Sequence, residues 1–286
     1  MTPLLKGRRS SLGFEEKSDT SRNSRNTIID LLRIVAGDAK PGYLLCEVNM
    51  TYSSALLSKL RARGVKATVT ALLVKAIGIA QESHYKTRTE SIPIGSLVTY
   101  NNIVAGFTVE RIVDGQPTVF LCEIEEPNSK SIQELSRELR QCATDSIDDV
   151  ASMRMQRVFS HLPAFLRQLI LVLGKSFPYL RLKCQKASFG LTSLGKFGVS
   201  ALLSPCLCSS TFGVGMIEDR AVVVNGEIRI QTQMTVSLNY DMRVFDYIEA
   251  DLFLGTVRLL LEGSLEQFLS DSERLGEDVY DLEPIA

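Results

Sequence analysis

The dipeptide Asn225-Gly226 limits this chain's fold more than any other feature, because it stands between two runs of β-type residues. Asn-Gly accepts the positive φ angles that a two-residue hairpin turn demands, so its flanks are predicted to pair as neighbouring antiparallel strands. Before the turn lie Thr211 to Ile217 and Ala221 to Val224; after it come Glu227 to Ile230 and Met234 to Tyr240. Further strands are expected at Tyr43 to Met50, at Ser188 to Thr192, and through Ile92 to Ile124, where Asp114-Gly115 turns the chain into Thr118 to Ile124.

Helical periodicity fills the spaces between these strands. Thr27 to Val35 is helix-like until Pro41-Gly42 breaks the run. Ser53 and Ser54 are placed to cap a helix that runs to Arg63 and stops at Gly64. Thr68 or Thr70 opens another through Gln81, with Leu72, Leu73, Ala76, Ile79 and Ala80 on one apolar face. Ser131 to Cys142 is amphipathic, Ser146 to Phe177 is helical with a break at Pro163, and a last helix covers about Ile248 to Leu261. Helices interleaved with strands predict an α/β sandwich. The organisation read from this is a flexible arm over residues 1–25, one domain over 26–272 and a tail over 273–286.

Several function classes are disfavoured on bulk grounds. A net charge of -1 offers no electrostatic attraction for nucleic acid or an anionic membrane. Leu162 to Leu173 is apolar but is interrupted by Arg167 and Gln168 and falls short of the roughly 20 residues a span requires, so no membrane span is expected; core packing is the first reading, and contact with a membrane surface or a partner the alternative. Residues 1–17 hold Arg8 and Arg9 without a signal-like apolar core, which points to the cytoplasm. Cys206 and Cys208 are close together, yet His84 and His161 stand far from them, so the cysteines are read as reduced thiols and no metal is expected.

Three segments together resemble the catalytic domain of the 2-oxoacid dehydrogenase acyltransferases (the dihydrolipoamide acyltransferases). The first is Gly64-Val65-Lys66 followed by Val69-Thr70-Ala71-Leu72-Leu73-Val74-Lys75-Ala76; the second is Ser188-Phe189-Gly190-Leu191-Thr192-Ser193-Leu194-Gly195-Lys196-Phe197-Gly198. The third runs from Phe212-Gly213-Val214-Gly215 through Asn225-Gly226 to Asn239-Tyr240-Asp241-Met242-Arg243-Val244-Phe245-Asp246-Tyr247, where the family pattern ends Asp-His-Arg-x-x-Asp-Gly. The resemblance covers about residues 43 to 270. It implies the fold shared with chloramphenicol acetyltransferase, a two-layer sandwich with a mixed, largely antiparallel sheet.

The departures from that pattern matter as much as the matches, since function lives in the site and not the fold. Met242 stands where the family's histidine takes a proton from the attacking thiol, and a thioether has no such proton chemistry. Tyr247 replaces the glycine, and Ser193 replaces the asparagine after the oxyanion hydroxyl. The resemblance implies that Thr192 supplies that hydroxyl, that Asp246 pairs with an arginine to brace the site, and that Arg243 belongs to the same frame, with Arg25 a looser partner. His161, in a stretch longer and more apolar than the family's usual loop, is the candidate replacement base. The bland readings are a strand hydroxyl for Thr192, apolar filling for Met242 and structural ion pairs for Asp246 and Arg243.

The expected function is acyl transfer by a stand-alone protein on a small-molecule or carrier-bound thioester, without the usual base. Residues 1–26 leave no room for a lipoyl domain, so no group is expected to be bound covalently; coenzyme A or another acyl thioester is the implied co-substrate. Two alternatives stand beside this: a cyclase-type biosynthetic enzyme on the same fold, and a non-catalytic homologue. In all three the family's assembly implies a homotrimer, in which the 242 position of one subunit faces Thr192 of the next.

Overall fold

The computed structural model describes residues 22–93, 95–113, 115–177, 179–180, 186–193, 195–270 and 273. The predicted arm therefore lies outside the described residues except for its last positions, where helix α1 (Arg22–Ile34) begins.

The Asn-Gly hairpin organises the main sheet. Asn225 and Gly226 have φ angles of 53° and 83°, the turn geometry anticipated from the dipeptide. The strands it joins are β7 (Ser210–Val224) and β8 (Glu227–Asp241), each continuous where the sequence pattern suggests two pieces. The expected interruptions pair with each other, Glu218 with Gln233, Asp219 with Thr232 and Arg220 with Gln231, so neither strand ends there; the one register shift lies earlier, between Val214 and Ile217. Strand β1 (Pro41–Asn49) pairs antiparallel with β8, and β4 (Val104–Val113) with β5 (Gln116–Glu125) through the predicted hairpin. Short β6 (Phe189–Ser193) runs parallel to both β4 and β7 and joins the halves in the order β1-β8-β7-β6-β4-β5. Strands β2 (Thr89–Ser91) and β3 (Leu97–Thr99) form a separate ribbon.

The main core lies between one face of this sheet and helices α2 (Thr51–Ala62), α3 (Val69–Ser83), α4 (Ile132–Thr144) and α7 (Tyr247–Leu259). Thr68 caps α3, its hydroxyl oxygen accepting from the Ala71 N–H at 3.2 Å, and Ser131 with Glu134 forms a capping box on α4. Ser53 and Ser54 do not cap α2, which starts after Met50; the Ser53 hydroxyl instead donates to the Leu261 carbonyl. Helix α3 differs from the one-faced helix expected. It is buried all round from Ala71 to Gln81, because the sheet, α4 and α7 enclose it. Lys75 is tolerated there because its ammonium donates to the carbonyls of Asn128 and Lys130 at 2.6 and 2.7 Å.

Helices α1, α5 (Ala151–Ser160) and α6 (Ala164–Ser176) cover part of the opposite face, with Pro163 at the start of α6. Gln156 of α5 holds the free edge of β5: its amide oxygen accepts from Leu121 N–H at 2.9 Å and its nitrogen donates to the Val119 carbonyl at 3.0 Å. That contact closes an edge that would otherwise invite another strand. Arg167, read in the sequence as an interruption, is a buried clamp; its guanidinium donates to Asp30 of α1 at 2.9 and 3.1 Å. Gln168 adds a bond to the same carboxylate at 3.2 Å. Glu273, the first residue of the predicted tail, is buried and accepts from the Ile132 N–H at the start of α4. No helix among the described residues is long and apolar enough to cross a membrane.

Candidate active site

Strand alternation decides what β6 offers. Phe189 and Leu191 are buried in the core, while Gly190 and Thr192 are on the face below α1, α5 and α6. The register sets Thr192 beside Gly213 and Gly190 beside Thr211 on β7. Thr192 and Thr211 thus share a face, one diagonal apart, and both line a cavity of about 340 Å³ between the sheet and the three helices. Among the described residues the Thr192 hydroxyl has no hydrogen-bond partner, which leaves it available to a ligand. Ser193 ends the strand, is exposed and points the other way.

The turn after β8 holds the remaining predicted residues. Asp241 is buried and organises it, accepting from the N–H groups of Lys40 at 3.2 Å and Arg243 at 3.1 Å. The Arg243 guanidinium grips the same carboxylate, with Nε at 3.0 Å from both oxygens and Nη2 at 2.6 Å from one. This corrects the expected bracing. Arg243 is paired with Asp241, whereas Asp246 is the N-cap of α7, accepting from the N–H groups of Ile248 and Glu249 at 2.9 Å. Arg25, weighed as its partner, is an exposed residue of α1. Met242 is fixed by its own N–H to the Lys40 carbonyl at 2.8 Å, and its side chain is 56% exposed. Tyr247, at the start of α7, is 66% exposed.

Within one chain these two groups of residues do not meet. Thr192 aligns through Gly213 with Ser237, and Met242 lies five residues further along the chain. Two inter-strand steps and five strand residues separate them by roughly 20 Å. His161 joins neither group: it sits exposed at the C-terminus of α5, beyond β5, and its Nδ1–H donates to the Arg157 carbonyl at 2.7 Å. That bond occupies one ring nitrogen and fixes it at the helix end. His84 likewise ends α3, with its ring bonded to Thr256 at 2.9 Å.

Two other ionisable groups near these residues are shifted by burial. Burial pushes the Cys206 thiol up to about 12, which keeps it protonated. Burial also raises the Glu123 carboxyl at the cavity wall above the ordinary carboxylate range, against the lowering effect of the Lys186 N–H that it accepts. Sequence reasoning missed Thr211 and the whole α1/α5/α6 wall. The period-2 pattern at Gly190 and Thr192 was a signal for the floor, but nothing local announces which helices roof it.

Comparison with known proteins gives these positions a context. Residues 181–269 match the family 2-oxoacid dehydrogenases acyltransferase (catalytic domain). The dihydrolipoyllysine-residue succinyltransferase component of the 2-oxoglutarate dehydrogenase complex from Bartonella vinsonii subsp. berkhoffii is 37% identical over 98 residues, 33% of this chain and 22% of that protein. Its counterpart from Escherichia coli strain K12 is 37% identical over 78 residues, 26% of this chain and 19% of that protein. The chain thus spans about a fifth of the length of these relatives. Among solved structures, the Azotobacter vinelandii dihydrolipoamide acetyltransferase, studied for the role of a serine, a histidine and an asparagine in its catalytic mechanism, aligns with a TM-score of 0.67 and 19% identity over 94% of this chain and 99% of that one. A probable dihydrolipoamide acetyltransferase from Listeria monocytogenes gives 0.63 and 17% identity over 91% and 98%. The fold is that of these acyltransferase cores.

Proposed function

We propose that this chain, whose residues 181–269 match the acyltransferase catalytic domain of 2-oxoacid dehydrogenases, transfers the acyl group of a thioester, using Thr192 as oxyanion donor and no resident general base. The observation that carries this is the Thr192 hydroxyl, without a partner among the described residues, on the strand bearing the family's pattern and facing a largely apolar cavity. When sulfur attacks the thioester carbon, charge gathers on the carbonyl oxygen. A hydroxyl held by a rigid strand can donate to that oxygen without reorganising.

Met242 cannot accept the thiol's proton, so the nucleophile must arrive as thiolate. The rate should therefore climb about tenfold per pH unit until the pH reaches the acceptor's own pKa, about 8.5 for a cysteine-like thiol. Transfer from acetyl-coenzyme A to a small thiol, measured from pH 6 to 10, tests this. A profile that flattens near pH 6.5 would reveal an imidazole base and overturn the reading. Thr192→Ala should lower the rate by about 100- to 1,000-fold while Thr192→Ser retains most of it; equal rates in all three would remove Thr192 from the chemistry.

The separation of Thr192 from Met242 supports a shared site between copies, as a homotrimer would provide. Met242, Tyr247, Ile248 and Leu252 leave an exposed apolar patch at that turn, suited to a subunit contact. Sedimentation should give a trimer, and a monomer at micromolar concentration would end the shared-site reading. The substrate is a free or carrier-bound small molecule and coenzyme A the simplest donor. The described cysteines Cys46, Cys122, Cys142, Cys206 and Cys208 are free thiols, which supports work in a reducing cytoplasm. A cyclisation on the same scaffold needs shape and a hydroxyl but no base, and it replaces acyl transfer if every thioester proves inert.

A further inference from the structure

The cavity beside Thr192 has an unusual construction. Its floor is made of small residues at alternate strand positions, Gly106, Gly190, Thr192 and Thr211. Two of these are tightly held: a Cβ on Gly190 would come within 3.0 Å of Thr211 Cγ2, and one on Gly106 within 2.7 Å of the Ala187 Cβ, so either change would require a neighbour to shift. The roof is mostly apolar, with Leu31 of α1 and Val35 just after it, Met155 and Phe159 from α5, and Ile170 and Leu171 from α6, while Thr27, Ser152, Gln156 and Lys175 are its polar members.

Helix α6 also carries Gly174 at a buried cavity-lining position, and nothing lies within 4 Å of where its Cβ would be. Alanine would suit the helix better, so the glycine leaves space rather than serving the backbone. Thr211 adds a second, independent observation. It is only 5% exposed, it lines the cavity, and among the described residues its Oγ1 has no hydrogen-bond partner. A buried donor without a partner is costly, and an acceptor oxygen on a bound molecule would satisfy it.

We infer that this cavity is a binding site for a straight alkyl chain, the tail of a medium- to long-chain acyl group whose head lies at Thr192 and Thr211. The two threonine Cα atoms are about 8 Å apart on neighbouring strands, close enough for both hydroxyls to face one polar head. A cavity of ~150 Å³ accepts benzene, so 340 Å³ holds roughly a dozen carbons. The placement of the head rests on the thioester reading above; the binding of the chain does not.

Titration calorimetry on the full chain with straight fatty acids of increasing length tests the inference. Affinity should rise about fourfold per methylene and level off beyond roughly twelve carbons. Gly174→Leu, which fills the space, should weaken dodecanoate binding at least tenfold while Gly174→Ala keeps most of it. Should Gly174→Leu fail to fold, Met155→Lys, which charges the wall from an exposed position, is read in its place. Absence of dodecanoate binding, affinity independent of chain length, or unchanged binding in the folded filling variant would each overturn the site. Acetyl transfer that depends on Thr192 without chain binding sinks this inference and leaves the thioester reading standing. Chain binding without any acyl transfer does the reverse.

Discussion

Replacing Met242 with histidine should raise acyl transfer to a thiol by about 100- to 10,000-fold at neutral pH, the usual worth of a positioned general base. The turn is already rigid, since Asp241 holds Lys40, the Arg243 backbone and the Arg243 guanidinium together. An imidazole there would enter a frame that needs no rebuilding. The pH profile should change with it, flattening near the imidazole pKa instead of following the thiol. On the proposed acyl-transfer reading Tyr247 is the main obstacle, because an exposed ring stands five residues after Met242 where the resembled pattern has glycine. Tyr247→Gly combined with Met242→His separates a blocked site from a wrong one. If both variants leave every thioester untouched while the wild type converts another substrate, acyl transfer is the wrong reaction class.

The second large effect is expected far from that turn, at the clamp between α1 and α6. The side chains of Arg167 and Asp30 are 7% and 10% exposed, so each ion depends on the other for what water would have supplied. Asp30→Ala would strand a buried guanidinium, at a cost of about 3–5 kcal/mol in chemical denaturation. Replacing both by apolar residues, Asp30→Leu with Arg167→Met, should recover most of the loss, since a buried pair often contributes little beyond its own satisfaction. A single variant that costs under about 1 kcal/mol would mean that α1 detaches freely from the roof. The clamp also bears on the cavity, because loss of α1 removes Leu31 and Val35 from its wall.

The contrast between these two positions shows what could be read locally. Asn225-Gly226, the Asp114-Gly115 hairpin and the caps at Thr68 and Ser131 act through their immediate neighbours, so the one-dimensional pattern contains them. The same rule held for Asp246, where the spacing to Glu249 already spelled a capping box; the resemblance drew attention to an arginine partner instead. Arg243 had its carboxylate two residues away in Asp241, a contact the strand end makes and the family pattern does not spell out.

The sequence by itself determined the strands and helices, the hairpin register, the family pattern around Thr192 and the absence of an imidazole at 242. Those depend on side-chain chemistry and on periodicities only a few residues long. Only the tertiary structure decided that Thr192 and Met242 lie apart in one chain, that His161 is not among the residues lining the cavity at Thr192, and that α1, α5 and α6 cover a cavity over the floor of β4, β6 and β7. Each of those facts comes from pairing between segments far apart in the chain. An apolar helical stripe shows that a face must be covered, but which surface covers it, and how much space remains between them, is settled by the packing of the whole.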